Sequence, residues 1–324
     1  LWSEYLKFAK SHGAIKVIYK VYSKLLQLQP RNVDAWLSAA KYEFETNGNA
    51  KGARVLFQRA LRFNKESLVL WLSYATFELS YISRLLARRK VLGLITRKDQ
   101  EENMKEEEAN FRKAIEDSSK DLDADADVIE LPETTSAELK DQLNHLPEAD
   151  IQVLGNPENN PALRGDVALA VFDLCIPAVL DAVPQYSTIV NRTEKTFEIV
   201  EKFLSIIDKF EDLNRDYLYT HVLNHLQQSD ENLDKDIRTY LIDITLPIRG
   251  VNCDSANFSD ALQLSVNKFI AYKLREVSTS NKEQLTQKYV HRLQAQFLQD
   301  EEHVPSEKTE ALLKAIIKKC ISQT

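Results

Sequence analysis

Apolar residues along the N-terminal third of the chain recur with a helical period and, above it, with a longer one. Trp2, Trp36 and Trp71 stand 34 and 35 residues apart, a spacing typical of repeated helix pairs. Three positions after each tryptophan comes Tyr5, Ala39 or Tyr74, and six after comes Phe8, Tyr42 or Phe77. Glu43 and Glu78 follow at the seventh position, where the first unit has Ala9. Steps of three and four keep these residues on one face, so each tryptophan opens an amphipathic helix. A second helix repeats too. Residues 18 to 28, IYKVYSKLLQL, superpose on residues 53 to 63, ARVLFQRALRF, matching Tyr22 with Phe57, Lys24 with Arg59 and Leu26 with Leu61.

A single helix pair cannot bury its apolar stripe, so the aromatic residues of one helix must pack on the small and aliphatic positions of its partner and of the next pair. Ala53 and Ala60 allow the close approach this needs. Turn residues fall where the scheme wants them: Ser11-His12-Gly13 and Asn47-Gly48-Asn49 inside pairs, Pro30-Arg31-Asn32 and Asn64-Lys65-Glu66-Ser67 between them. The segment ALAVFDLCI, 168 to 176, superposes on 53 to 61, with Ala168 on Ala53, Phe172 on Phe57, Cys175 on Ala60 and Ile176 on Leu61. The repeat therefore resumes after an interruption. Amphipathic stretches at about 187 to 210, 213 to 228, 233 to 245, 258 to 277, 281 to 299 and 306 to 321 continue the helical pattern to the end. An all-α solenoid of antiparallel helix pairs is predicted.

Composition supports helix. Only 7 Gly and 9 Pro occur among 324 residues, too few for a turn-rich β fold. The net charge of -7 conceals an asymmetry, for residues 1 to 95 hold 16 Lys/Arg against 6 Asp/Glu while the remainder is strongly acidic. Between 97 and 150 lie 18 Asp/Glu and 7 Lys/Arg. Residues 98 to 117 can extend as a polar helix, whereas 118 to 136 have too little apolar content to fold alone. Three parts are expected: basic repeats at 1-95, an acidic insertion or linker at 96-160, and degenerate repeats at 161-324. The three widely spaced cysteines, Cys175, Cys253 and Cys320, form neither a disulfide framework nor a CxxC pair, and a reducing intracellular setting is expected. No run of 18 apolar residues occurs, and the start lacks the layout of a signal peptide. Residue 1 is Leu, as expected of a chain cut from a longer one.

The pattern W-x-x-Y/A-x-x-F/Y-E followed by A-R-x-x-F-x-R-A-L resembles the HAT (half-a-TPR) repeat family, found in scaffold subunits of RNA-processing complexes. Within it, the third unit and its continuation, WLSYATFELSYISRLLARRKVLGL (71 to 94), resemble the HAT-repeat subunit of the small-subunit processome. The chain departs from the pattern at Ala9, where the repeat would place Glu, and in having no tryptophan after Trp71. The resemblance implies nucleolar location, membership of the UTP-B subcomplex alongside WD-repeat propeller proteins, and a place in the pre-ribosomal ribonucleoprotein that matures small-subunit RNA. It marks Trp2, Tyr5, Trp36, Tyr42, Glu43, Phe57, Arg59, Trp71, Tyr74, Phe77 and Glu78 as structural repeat residues. HAT scaffolds of splicing or of mRNA 3′-end cleavage are the alternative.

Catalytic signatures are sparse. Neither GxxxxGK[ST] nor GxGxxG is present, so no phosphate-cradling loop is indicated. His221 and His225 have the spacing of two metal ligands on a helix, yet Val222 stands where a zinc protease needs Glu, and solvated or interface histidines are the reading. Asp123, Asp125 and Asp127 imitate the start of a calcium loop, but Val128 occupies the obligatory Gly position and Thr134 the twelfth. No carboxylate pair is set in an apolar context, no nucleophile elbow occurs, and Cys175 falls on the packing face. The tryptophans alternate with alanine at helical spacing, as core residues rather than base-stacking platforms. No enzyme activity, cofactor or metal is expected. The prominent surface feature is Arg84, Arg88, Arg89 and Lys90 in SRLLARRKVLG. Arg84, Arg88 and Arg89 form a candidate stripe for an acidic partner segment or for peripheral RNA contact. A solvated helix end paired with the acidic run at 101 to 108 is the other reading.

Overall fold

A computed structural model describes residues 2-92, 160-182, 189-229, 231-253, 255, 257-298 and 306-322. The acidic stretch with Asp123, Asp125 and Asp127 lies outside the described residues. Every regular element among the described residues is helical, and the chain divides into two compact units, Leu1–Asn214 and Arg215–Thr324.

The first unit contains α1 (Trp2–Ser11), α2 (Ile15–Leu28), α3 (Val33–Lys41), α4 (Ala50–Phe63), α5 (Leu68–Leu92), α6 (Pro161–Arg164), α7 (Asp166–Leu180) and α8 (Ile189–Ile207). Local chemistry sets the boundaries. Asn32 caps α3 by accepting from the Ala35 amide at 3.2 Å, and Asn49 caps α4 by accepting from the Gly52 amide at 2.9 Å. Gly13 and Gly48, at equivalent places in successive units, adopt φ of 62° and 66°, a conformation in which a Cβ would be strained. α3 does not end cleanly but widens into a π turn, Tyr42–Thr46. That turn was not anticipated from the sequence.

Packing follows chain order. α1 lies on α2, α2 on α3, α3 on α4 and α4 on α5; α5 then packs on α7 and α8. The helix matched by sequence to α4, namely α7, is thus a principal neighbour of α5. Ala53 and Ala60 are completely buried, and side chains this small let neighbouring backbones approach closely. Trp36 is fully enclosed, its ring stacked at 6.2 Å on Phe63.

The second unit comprises α9 (Arg215–Ser229), α10 (Glu231–Asp234), α11 (Ile237–Thr245), α12 (Phe258–Arg275), α13 (Thr279–Phe297) and α14 (Glu307–Ser322), with a 3-10 turn at Leu246–Ile248. Its core joins Ile244, Ile248, Phe258, Phe269, Tyr289, Leu293, Leu313 and Ile317. Polar ties cross it: Ser265 Oγ donates to the Ile244 carbonyl at 2.7 Å and meets Tyr289 Oη at 2.9 Å, while Asp243 accepts from Lys268 and from Tyr272, each at 2.6 Å. No tryptophan serves here.

Because Trp36 fills space between α3 and the end of α4, Trp36→Ala should lower the unfolding free energy by about 3 to 5 kcal/mol. Urea unfolding followed by circular dichroism measures this. An unchanged midpoint would show that the neighbours close the cavity and that the tryptophan is not a packing anchor.

Candidate functional site

The buried polar groups of the repeats form a recurring arrangement. Trp36 Nε1 donates to the Pro30 carbonyl at 2.9 Å, and Trp71 Nε1 donates to the Lys65 carbonyl at 2.8 Å, in each case six residues back along the chain. Asn64 Nδ2 also reaches the Pro30 carbonyl at 2.9 Å. The end of α4 is thereby fastened to the turn that precedes α3. Each indole satisfies its own N–H while holding the loop before its helix, so the tryptophan fixes both packing and chain entry.

The glutamates at the seventh position do comparable work between units. Glu78 is buried, and Arg54 of α4 grips it through Nε at 2.8 Å and Nη2 at 2.9 Å, a two-point charged contact. The arginine itself lies over Tyr81, 5.2 Å from the ring centroid. Glu43 is equally buried but has no arginine, because the position in α2 equivalent to Arg54 is Tyr19. Neutral donors replace the cation. Asn47 Nδ2 donates to Glu43 Oε1 at 3.2 Å and to Tyr19 Oη at 2.6 Å, and Asn49 Nδ2 donates to Oε2 at 2.9 Å. The π turn brings Asn47 back over Glu43, and the Asn49 amide donates to the Glu43 carbonyl at 2.9 Å. Burial pushes the Glu43 carboxyl up to about 7, while hydrogen bonds from Tyr19, Asn47 and Asn49 oppose the rise.

The other residues singled out in the sequence fall into distinct places. Tyr42, Phe57, Trp71, Tyr74 and Phe77 are buried; Phe57 stacks on Tyr74 at 5.2 Å and touches Phe77 at 5.3 Å. Arg59 is partly exposed. Trp2 is only half-buried, and Tyr5 is exposed rather than packed against a neighbouring pair. The reason is positional: among the described helices none covers that face of α1. Arg84 does not stand free as one member of a surface stripe. Its guanidinium lies 4.1 Å from the centroid of Phe44, which meets Phe77 edge-on at 4.8 Å. The side chains of Arg88 and Arg89 are outside the described ones. Cys175 is fully buried, and burial pushes its thiol up to about 12, so it stays protonated at neutral pH. His221 and His225 are partly buried on α9. Among the described residues no group of three or more His, Cys, Asp or Glu is placed to hold a metal ion, and no helix is long and apolar enough to cross a membrane.

No family model matches the chain. Curated proteins do. Over 92 residues, 28% of this chain and 19% of the relative, it is 39% identical to U3 small nucleolar RNA-associated protein 6 of Schizosaccharomyces pombe. The chain is homologous to that group over the aligned stretch. The homologs of U3 small nucleolar RNA-associated protein 6 in Mus musculus and Homo sapiens are each 35% identical over 85 residues, 26% of this chain and 14% of theirs. The aligned stretch thus spans about a fifth or less of the length of these U3-associated relatives.

Sequence reasoning missed Tyr19, Arg54, Asn47 and Asn64 as ties. Arg54 was visible inside the A-R-x-x-F pattern, and its mate was visible as Glu78; what joins them is their place on facing helices. The unequal environments of Glu43 and Glu78 generate a pH signature. The folded carboxyl of Glu43 binds its proton more tightly than the ordinary value of 4.5. Its contribution to stability is therefore complete below about pH 4.5 and declines as pH rises to about 7, by an amount on the order of 3 kcal/mol. Glu43→Gln should remove that slope, as read by urea unfolding between pH 4.5 and 8. A slope retained in the variant would place the titration elsewhere.

Proposed function

We propose that this chain is a non-catalytic scaffold of antiparallel helix pairs within the small-subunit processome, supporting early processing of small-subunit ribosomal RNA in the nucleolus. The observation that carries the reading is the homology to proteins named for association with U3 small nucleolar RNA. The fold is consistent with it. The three or four residues that join α1 to α2, α2 to α3 and α4 to α5, and the three that join the π turn to α4, favour antiparallel neighbours, and contact between chain neighbours is the packing of a solenoid. Glu78, Trp36, Trp71 and Asn64 spend hydrogen bonds on joining helices to one another or to the turns between them. A scaffold requires that, since partners read surfaces whose spacing the interior must hold.

On this reading the partners are WD-repeat propeller proteins of the UTP-B subcomplex and the pre-ribosomal ribonucleoprotein, with RNA contact at most peripheral. Arg88 and Arg89 remain the candidate contacts on α5, where an arginine fork suits a carboxylate or a phosphate. Arg84 is less apt, because its guanidinium is occupied by Phe44.

Purification of the tagged chain from cells tests the assignment. U3 small nucleolar RNA and WD-repeat proteins should co-purify, and an Arg88→Glu, Arg89→Glu variant should recover them several-fold less well. Recovery of splicing or mRNA 3′-end cleavage components without U3 RNA would overturn the reading. If the purified protein instead binds RNA with steeply salt-dependent affinity, and the double reversal flattens that slope by about 2 units, the stripe reads phosphate and not an acidic protein.

A further inference from the structure

The second helices of the first two pairs, α2 and α4, together hold seven Lys and Arg and no Asp or Glu. Packing decides where these charges point. α2 buries Ile18, Val21, Tyr22, Leu25 and Leu26, and α4 buries Ala53, Leu56, Phe57 and Ala60. The opposite sides are left to the cations. From Ile15 to Leu26 the exposed residues of α2 are Lys16, Lys20 and Lys24; α4 exposes Lys51 and Arg62, with Arg59 partly exposed between them. Steps of four keep the three lysines of α2 on nearly one face, each about 6 Å further along the axis. Neither face owes its exposure to a chain end, because α2 packs on α1 and α3, and α4 on α3 and α5. The two helices also meet the following tryptophan-led helix alike: Tyr22 lies 6.1 Å from Tyr42, and at the matching positions Phe57 lies 5.3 Å from Phe77.

Arg54 is engaged by Glu78, and other carboxylates of these repeats are engaged elsewhere, Glu45 with Lys41 at 3.7 Å and Glu66 with Arg31 at 3.2 Å. Among the described residues no ion pair neutralises Lys20, Lys24, Lys51, Arg59 or Arg62. Like charges four apart oppose the helix that carries them, so the fold itself gains nothing from the arrangement on α2. We infer that the outward faces of α2 and α4 are a sequence-independent contact for the phosphate backbone of RNA. Naming RNA as the polyanion rests on the processome reading above; the positive face rests on the packing alone. Where folded proteins meet, lysine is depleted and aromatic anchors are enriched. Between Ile15 and Leu26 no apolar side chain of α2 is exposed among the lysines, so an acidic protein would find charge there without an anchor. Charge density favours RNA over the chain's own acidic stretch as well. Residues 97 to 150 hold 18 Asp/Glu diluted by 7 Lys/Arg, whereas a nucleic acid strand brings one negative charge with every nucleotide and no cation. Ammonium groups set at a regular axial step are point charges that such a strand can meet without any base being read.

The probe is a fluorescein-labelled oligouridine, titrated with the full chain over a series of salt concentrations and followed by anisotropy. Binding is expected, with the logarithm of affinity falling against the logarithm of salt at a slope of about -3 to -4, as five cations on a single strand give. Lys20→Gln, Lys24→Gln, Lys51→Gln and Arg62→Gln together should weaken binding roughly tenfold or more at low salt and flatten the slope by about 3 units. All four side chains are exposed, so the variant should melt at the same temperature as the parent or slightly higher, like charges having been removed. Absence of binding, or a slope that the four changes leave intact while Arg88→Glu with Arg89→Glu flattens it, would overturn the proposal. So would a polyglutamate peptide that displaces the RNA at equal charge concentration, because the face would then suit an acidic protein. Carbodiimide cross-links from these lysines to carboxylates of residues 97 to 150 in the purified protein would overturn it too, since the chain's own acidic stretch would be the occupant. Binding is measured on purified protein, so its failure is distinct from a failure of U3 RNA to co-purify from cells, which counts against the processome reading instead.

Discussion

A carboxylate removed from water must be given partners, and that requirement organises the first unit of this protein. Glu43 and Glu78 each directly follow a buried aromatic residue, Tyr42 or Phe77, where solvent cannot reach them. Each takes a partner from the helix pair before it, Tyr19 of α2 for Glu43 and Arg54 of α4 for Glu78, and Asn47 and Asn49 of its own pair's turn complete the shell of Glu43. An unpaired charge in that position would cost several kcal/mol. Successive pairs are therefore held not only by apolar burial, which is tolerant of sliding, but by polar contacts that are satisfied in one register. The tryptophans add the same discipline at the other end of each helix, since an indole N–H has a single direction in which to donate.

The buried ionisable groups of this unit are engaged in packing. Cys175 is fixed in its protonated form by burial, and Glu43, whose carboxyl is pushed up to about 7, is surrounded by donors and sealed from solvent. The proposed place in RNA processing rests on the homology to proteins named for association with U3 small nucleolar RNA.

Much of this was legible in the order of residues. The tryptophan spacing, the match of α2 to α4, and the return of the pattern in α7 could be read because burial on a helix leaves a periodic trace. The exchange of Arg54 for Tyr19 was also on the page, but its consequence was not, because a tie between helices depends on which positions face each other across a gap. The π turn at Tyr42–Thr46 left no trace in periodicity, being a single turn that shifts the register by one residue. The surroundings of Arg84 were hidden for a related reason. A helical wheel places it beside Arg88 on a basic stripe, and nothing in the wheel shows that Phe44, from another helix, lies beneath it. The second unit offered less, since Asp243, Lys268 and Tyr272 repeat no motif.

The claim that a seventh-position glutamate binds one helix pair to the next is tested most directly by a double-mutant cycle on Arg54 and Glu78. Stabilities of the parent, Arg54→Leu, Glu78→Leu and the double variant would be measured by urea unfolding at neutral pH. A coupling of about 2 to 3 kcal/mol is expected, with Arg54→Leu alone more damaging than the double change because it strands a buried carboxylate. Additivity within about 0.5 kcal/mol would mean that the two side chains are neighbours without being a tie, and the account of how the pairs are held would fail.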